Sequence, residues 1–251
     1  MFLNILDISH DLSLLMGDLV GGVLVEKALW PERFHNIGEP SNVGAGRPVL
    51  FIPGYRANDA TMNILRLRIA LQGFAVVPSG IDDRNTADYR FHRKSLMRAL
   101  KKTADKTGQP VSVVGWSMGG RFAFSLAAEE PQLVRSIVTL GTPLRKLSAE
   151  KLALPLMPQP LINEMSADVK LPDPTIPLSV VIASLDGVVK RRDSMLTASE
   201  LAIGPRENVM IRTWHTGMSH SQKVAQLLTR RLCQEVHSWQ PDAQALSKTV
   251  H

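Results

Sequence analysis

A chain of 251 residues with 44% hydrophobic, 21% charged and 5% aromatic side chains is long and apolar enough to bury one large core, which excludes a disordered or low-complexity chain. Its formal net charge of +6 comes from scattered basic residues, the densest groups being Lys190-Arg191-Arg192 and Lys101-Lys102. With so few rings to stack on bases, this charge argues against a nucleic-acid binder and suits an anionic lipid or substrate instead.

The N-terminus, Met1-Phe2-Leu3-Asn4-Ile5-Leu6-Asp7, has no basic region ahead of its apolar residues and no cleavage site, so a secretory signal is not expected and the reading is cytoplasmic. Asp18, Gly21, Gly22 and Glu26 interrupt the richest apolar stretch, leaving no run of about 18 residues that would span a membrane. Ile5, Ile8, Leu12, Leu15, Leu19 and Val23 recur at steps of three or four, which predicts a helix within 3–30. That helix either packs on the main domain or offers an amphipathic surface for peripheral contact with lipid or a partner. Pro31, Pro40 and nearby glycines make 31–47 a linker, so 1–45 reads as a helical N-terminal segment and linker.

Beyond it, β-rich runs alternate with helical periodicity, the pattern of a parallel sheet with crossover helices and an α/β fold of about six strands. Strands are expected at 49–53, 73–78, 111–115, 135–140, 178–183 and 208–213, and helices near 59–71, 86–106, 119–129, 194–202 and 219–237. Val111-Ser112-Val113-Val114 and Ser179-Val180-Val181-Ile182 are apolar almost throughout, as for strands covered on both faces. Between 144 and 177 the pattern fails: six prolines, from Pro155 to Pro177, alternate with Leu and Met residues. An apolar, irregular excursion of that length reads as a lid-like insertion or binding loop. The polar stretch 238–251 reads as a mobile tail. The single cysteine, Cys233, excludes an intrachain disulfide and a cysteine-rich zinc site and fits a reducing compartment.

Gly115-Trp116-Ser117-Met118-Gly119-Gly120 has the form G-x-S-x-G and falls between a predicted strand and a predicted helix, the context that this motif requires. A serine on so tight a turn needs small neighbours, which Gly115 and Gly119 supply. The helix start behind it directs N–H groups toward developing negative charge. A serine hydroxyl also needs a base, usually a histidine oriented by a carboxylate. Leu185-Asp186-Gly187 follows one later strand and Trp214-His215-Thr216 follows the next. His220 competes with His215 for the role of base, and Asp193 and Asp173 compete with Asp186 for that of acid.

Residues 49–143 and 178–220 resemble the bacterial lipase and esterase branch of the α/β-hydrolase family. The resemblance rests on Val49-Leu50-Phe51-Ile52-Pro53-Gly54-Tyr55, the Ser117 motif, Thr139-Leu140-Gly141-Thr142-Pro143, Ser184-Leu185-Asp186-Gly187-Val188-Val189 and His215-Thr216-Gly217-Met218. It implies a Ser-His-Asp triad in which Ser117 is the nucleophile, His215 the general base and then acid, and Asp186 the carboxylate that fixes the imidazole. It also implies an oxyanion hole from the N–H groups of Met118 and Tyr55, with Arg56 as the alternative to Tyr55. Many relatives carry His-Gly where this chain has Pro53-Gly54, which leaves the identity of that second donor open. The family's two strands before the first one found here are expected to be missing.

The activity so implied is cleavage of carboxylic esters through an acyl-enzyme, either of a medium or long acyl ester sheltered by the Leu- and Met-rich insertion at about 0.8 kcal/mol per buried methylene or of a small soluble ester or lactone. Acyl transfer, or amide or thioester hydrolysis, uses the same residues, and a non-catalytic, hydrolase-like binding protein is the rival of another class. No cofactor is expected, and a metal enzyme is disfavoured because the histidines show no H-E-x-x-H spacing. No motif sets an oligomeric state.

Overall fold

The computed structural model describes residues 39–146, 159–243 and 245. The N-terminal helix predicted within 3–30 lies outside them, as do residues 147–158 of the 144–177 insertion and the end of the tail. Among the described residues six strands form one sheet: β1 (Pro48–Ile52), β2 (Ala75–Pro78), β3 (Val111–Trp116), β4 (Val134–Leu140), β5 (Leu178–Ala183) and β6 (Arg206–Ile211). Their order is β2-β1-β3-β4-β5-β6 and every neighbouring pair is parallel.

Parallel neighbours need crossover connections, and helices supply most of them. These are α1 (Asn63–Leu71), α2 (Tyr89–Thr107), α3 (Met118–Glu129), α4 (Gln159–Ser166), the short α5 (Arg191–Ser194) and α6 (Ala198–Leu201), and α7 (Gln222–Cys233). The Asp88 carboxylate starts α2 by accepting from the Arg90 N–H at 3.0 Å, and Gly108 at φ 64° ends it, the usual left-handed stop.

Side chains alternate across each strand, so the sheet has two apolar faces. Leu50, Ile52, Val111, Val113 and Ile137 pack with Leu96 and Leu100 of α2 and Phe122 and Leu126 of α3. Val49, Phe51, Val114, Val138 and Val209 pack on the opposite side with Leu65 and Ile69 of α1 and Leu227 and Leu228 of α7. Each such fully buried side chain contributes roughly 1.5–3 kcal/mol. The chain steps outward from β1 to β2, then crosses back over β1 to β3. Loops leaving β1 and β3 therefore diverge, and a crevice opens between them at the carboxyl ends of the strands.

Three expectations need correction. The helix predicted at 194–202 is two short turns, because the Asn208 side chain accepts from the Leu196 N–H at 3.0 Å and donates to its carbonyl at 2.9 Å, which withdraws Leu196 from helical bonding. Thr197 and Glu200 then start α6 with a reciprocal capping box. Within the insertion, read from the sequence as irregular, α4 is a regular helix whose first turn holds Pro160, where a missing N–H costs nothing. The beginning of the supposed mobile tail is tied down: the Arg231 guanidinium lies 5.1 Å over the Trp239 ring, the Asp242 carboxylate accepts from Arg230 Nε at 2.8 Å, and Ala245 bridges Val209.

Candidate active site

β3 is buried throughout and delivers Ser117 into a backbone conformation of φ 53° and ψ −121°, which an L residue adopts only where its surroundings impose it. The Ser117 N–H donates to Leu140 O at 2.7 Å, and the Thr142 hydroxyl donates to Ser117 O at 2.9 Å. Any side chain on Gly115 would meet Gly119 O at 2.5 Å, and one on Gly119 would meet Pro53 O at 2.7 Å. The two motif glycines are thus required by the closeness of α3 to β3 and to the end of β1. The Met118 N–H, first in α3, has no carbonyl of its own helix to bond.

Past β5, the Asp186 carboxylate accepts from the N–H groups of Val188 at 2.9 Å and Val189 at 2.7 Å through Oδ1. Its Oδ2 lies 2.8 Å from His215 Nδ1, and the two side chains are 3% and 5% exposed. A carboxylate accepts and cannot donate, so Nδ1 carries the proton of this hydrogen bond. The imidazole is lodged beside Gly141, where an added Cβ would fall 3.0 Å from Nδ1. Trp116, the residue before Ser117, donates from its indole to His215 O at 3.2 Å. The residues following β3, β4, β5 and β6 thus converge on one edge of the sheet.

The competing residues make other contacts among the described residues. Asp173 lies ahead of β5, at the opposite edge, and its carboxylate accepts from the Thr175 N–H at 2.9 Å and the Thr175 hydroxyl at 2.6 Å. Asp193 holds the chain after β4 through its carbonyl, which accepts from the Leu144 N–H at 2.7 Å. His220 Nδ1 lies 3.3 Å from the Ser219 hydroxyl.

The loop leaving β1 presses on the serine, since a Cβ on Gly54 would sit 3.1 Å from Ser117 Cβ. Within this loop the Arg56 N–H donates to Asn85 O at 2.8 Å, which commits the alternative oxyanion donor. The Tyr55 N–H makes no hydrogen bond among the described residues. Asn85 is fully buried and went unnoticed in the sequence, where it stands in the polar run Asp82-Asp83-Arg84-Asn85 with nothing to set it apart from its exposed neighbours. Asp59 was missed likewise. Its buried carboxylate accepts from the N–H groups of Ser79, Gly80 and Ile81 and from the Ser79 hydroxyl, joining the loops that leave β1 and β2.

The insertion meets this region through Arg121, one turn beyond Ser117 on α3. Its guanidinium is 4% exposed and donates to Ala167 O at 2.6 Å, which fixes the end of α4 to the helix that carries the serine. Among the described residues, no group of three or more His, Cys, Asp or Glu is placed to hold a metal ion, and no helix is long and apolar enough to cross a membrane.

Comparison with known proteins agrees with this architecture. A family profile described as alpha/beta hydrolase fold matches residues 52–168, and the chain has that fold. Among solved structures, one described with the metagenome-derived lipolytic enzymes LipS and LipT is 16% identical with a TM-score of 0.57, over 77% of this chain and 93% of that one. Aspergillus fumigatus lipase B is 14% identical with a TM-score of 0.58, over 78% of this chain and 55% of the lipase. A thioesterase domain from the curacin biosynthetic pathway is 15% identical with a TM-score of 0.52, over 76% and 92% of the two chains. No curated protein matches the sequence. At these identities the likeness establishes the fold alone, and the neighbours' differing activities leave the reaction to be argued from the residues.

Proposed function

We propose that this protein is a serine hydrolase of carboxylic esters, with Ser117 as nucleophile, His215 as base and Asp186 as its orienting carboxylate. The observation that carries the reading is the 2.8 Å contact between His215 Nδ1 and Asp186 Oδ2, at the same sheet edge as a serine held at φ 53°. A structural serine gains nothing from such a backbone, whereas a nucleophile gains exposure from it.

In this mechanism His215 Nε2 takes the hydroxyl proton as Ser117 Oγ attacks the ester carbonyl carbon. The carbonyl oxygen becomes an oxyanion, and the N–H groups of Tyr55 and Met118 donate to it. Collapse expels the alkoxide, which leaves with the proton from His215. Water then attacks the acyl-enzyme, gives its proton to His215, and releases the carboxylic acid as Ser117 recovers its own. Asp186 stays ionised and stabilises the imidazolium at each step. The substrate is a small-molecule or lipid-like ester, with the Leu- and Met-rich 144–177 insertion as the candidate shelter for its acyl group and the N-terminal segment as the candidate for peripheral contact with lipid.

The test is hydrolysis of p-nitrophenyl esters from acetate to palmitate by wild type and Ser117→Ala, with labelling by a fluorophosphonate in parallel. Turnover and labelling that both vanish in the variant support the reading. Labelling of Ser117 without ester turnover would redirect it to thioester or amide cleavage or to transfer to another acceptor. Neither signal in a folded wild-type protein would leave a binding role.

A further inference from the structure

Asn85 has no solvent exposure, and all four of its polar groups are committed. Nδ2 donates to Pro53 O at 2.8 Å. Oδ1 accepts from the Ala87 N–H at 2.8 Å. Its carbonyl accepts from the Arg56 N–H and its own N–H donates to Ala57 O, both at 2.8 Å. One residue therefore grips the loop after β1 at its beginning and at its end. It leaves between them Gly54, which lies against Ser117, and Tyr55.

The backbone it braces is strained. Arg56 has φ 60° and Ala87 φ 65°, values that non-glycine residues keep only when the surrounding structure over-determines them. Asn85 is itself held from both sides. Asp59 gathers the three N–H groups of residues 79–81, and the Thr86 N–H donates to His92 Nε2 at 3.0 Å.

We infer that Asn85 is a positioning residue for the oxyanion loop, holding Pro53 to Ala57 so that the Tyr55 N–H is left to the substrate while Arg56 is spent on the clamp. This rests on the reading of Ser117 as nucleophile. Asn85 touches no reacting atom and acts through Tyr55. Asn208 is the internal control: it too is a buried asparagine bonded to backbone on both sides, to Leu196 N–H and O, but it stands early in β6, away from the loops that carry the chemistry.

The experiment compares Asn85→Ala, Asn85→Asp and Asn208→Ala with wild type. It measures kcat and KM on p-nitrophenyl butyrate per fluorophosphonate-titratable serine, and the thermal midpoint. For both Asn85 variants the expected loss is about 10- to 100-fold in kcat per titrated serine with KM little changed. That is below the roughly 10²- to 10³-fold cost of deleting an oxyanion donor, since the Tyr55 N–H is still present but misplaced. Asn85→Asp, which keeps the shape and the acceptor to Ala87, should regain part of its kcat relative to wild type at the same pH on acidification, because a protonated carboxyl again donates to Pro53 O. Asn208→Ala should lower the midpoint and leave kcat per titrated serine at the wild-type value.

Wild-type kcat per titrated serine in the Asn85 variants, at any midpoint, overturns the inference. So does an equal loss in Asn208→Ala, which would make the effect a general loosening. If Asn85→Ala fails to accumulate, the isosteric Asp variant decides. Activity retained by Ser117→Ala would instead remove the reading on which the inference stands, and is seen independently of Asn85.

Discussion

Where β5 and β6 begin, Glu207 lies 3.1 Å from the Arg231 guanidinium and accepts from the Asp242 N–H at 2.6 Å. Where the same two strands finish, Asp186 lies beside His215. Both ends of the sheet bury charge. At the first end the partners are fixed side chains of α7 and the segment around Asp242, and the network ties that segment to the sheet. At the second, three of the four described non-glycine residues with positive φ gather in the loops: Arg56, Ala87 and Ser117. Among the described residues, positive-φ strain is thus concentrated at the edge that carries Ser117, with Ala45 at φ 47° ahead of β1 the one case at the other edge, the distribution expected if the Ser117 edge is for chemistry and the other for stability.

The sharpest way to break that contrast is at Ser117. Ser117→Ala should lower ester turnover by about 10⁴-fold or more with the fold intact, as read by p-nitrophenyl ester kinetics beside circular dichroism. Asp186→Asn should cost about 10⁴-fold through the wrong imidazole tautomer, and a near-normal rate in that variant would place the orienting acid elsewhere.

At the opposite end the signs reverse. Arg231→Met leaves Glu207 buried without its cation, while Asp242 keeps Arg230, and should cost about 3–5 kcal/mol of stability in urea unfolding, with turnover per folded molecule unchanged. Ser117→Gly sharpens the comparison from the side of strain: glycine accepts φ 53° freely, offsetting about 1–3 kcal/mol of backbone cost against its greater unfolded-state entropy. Its thermal midpoint should equal or exceed that of wild type while activity is lost, whereas a lower midpoint would mean that the turn stores no strain.

The smallest effect is expected from pH. Burial lowers the His92 pKa below its ordinary 6.5, with nearby Asp88 acting in the opposite sense, and the neutral Nε2 accepts from the Thr86 N–H. Because the unfolded chain takes up this proton more readily, stability is fully present above about pH 6.5 and declines as the pH falls below it. His92→Gln should flatten that limb of the stability profile in denaturant titrations at pH 5 to 8.

Much of this arrangement was legible in the sequence. The six predicted strands coincide with the observed ones to within about two residues, because strands covered on both faces read as unbroken apolar runs such as Val111–Val114 and Ser179–Ile182. Ser117, Asp186 and His215 stood out because a strand end followed by a glycine-bearing or polar loop is a local pattern. Asn208 breaking the helix predicted at 194–202, Asp242 anchoring the tail, and Arg121 holding α4 were not legible, since each depends on a partner at least 12 residues away.

By itself the sequence determined the alternation of strands and helices, the tight turn at Ser117 and the order of the candidate residues, because hydrophobic period and glycine placement act over a few residues. Tertiary structure alone decided that Asp186, from the loop after β5, meets His215, from the loop after β6. It also decided that Arg56 is spent on a clamp while Tyr55 is spared, and that an inconspicuous Asn85 does the clamping. Those outcomes follow from which loops leave the same edge of a parallel sheet and which buried polar groups must then find one another. That accounting closes only once the chain has folded.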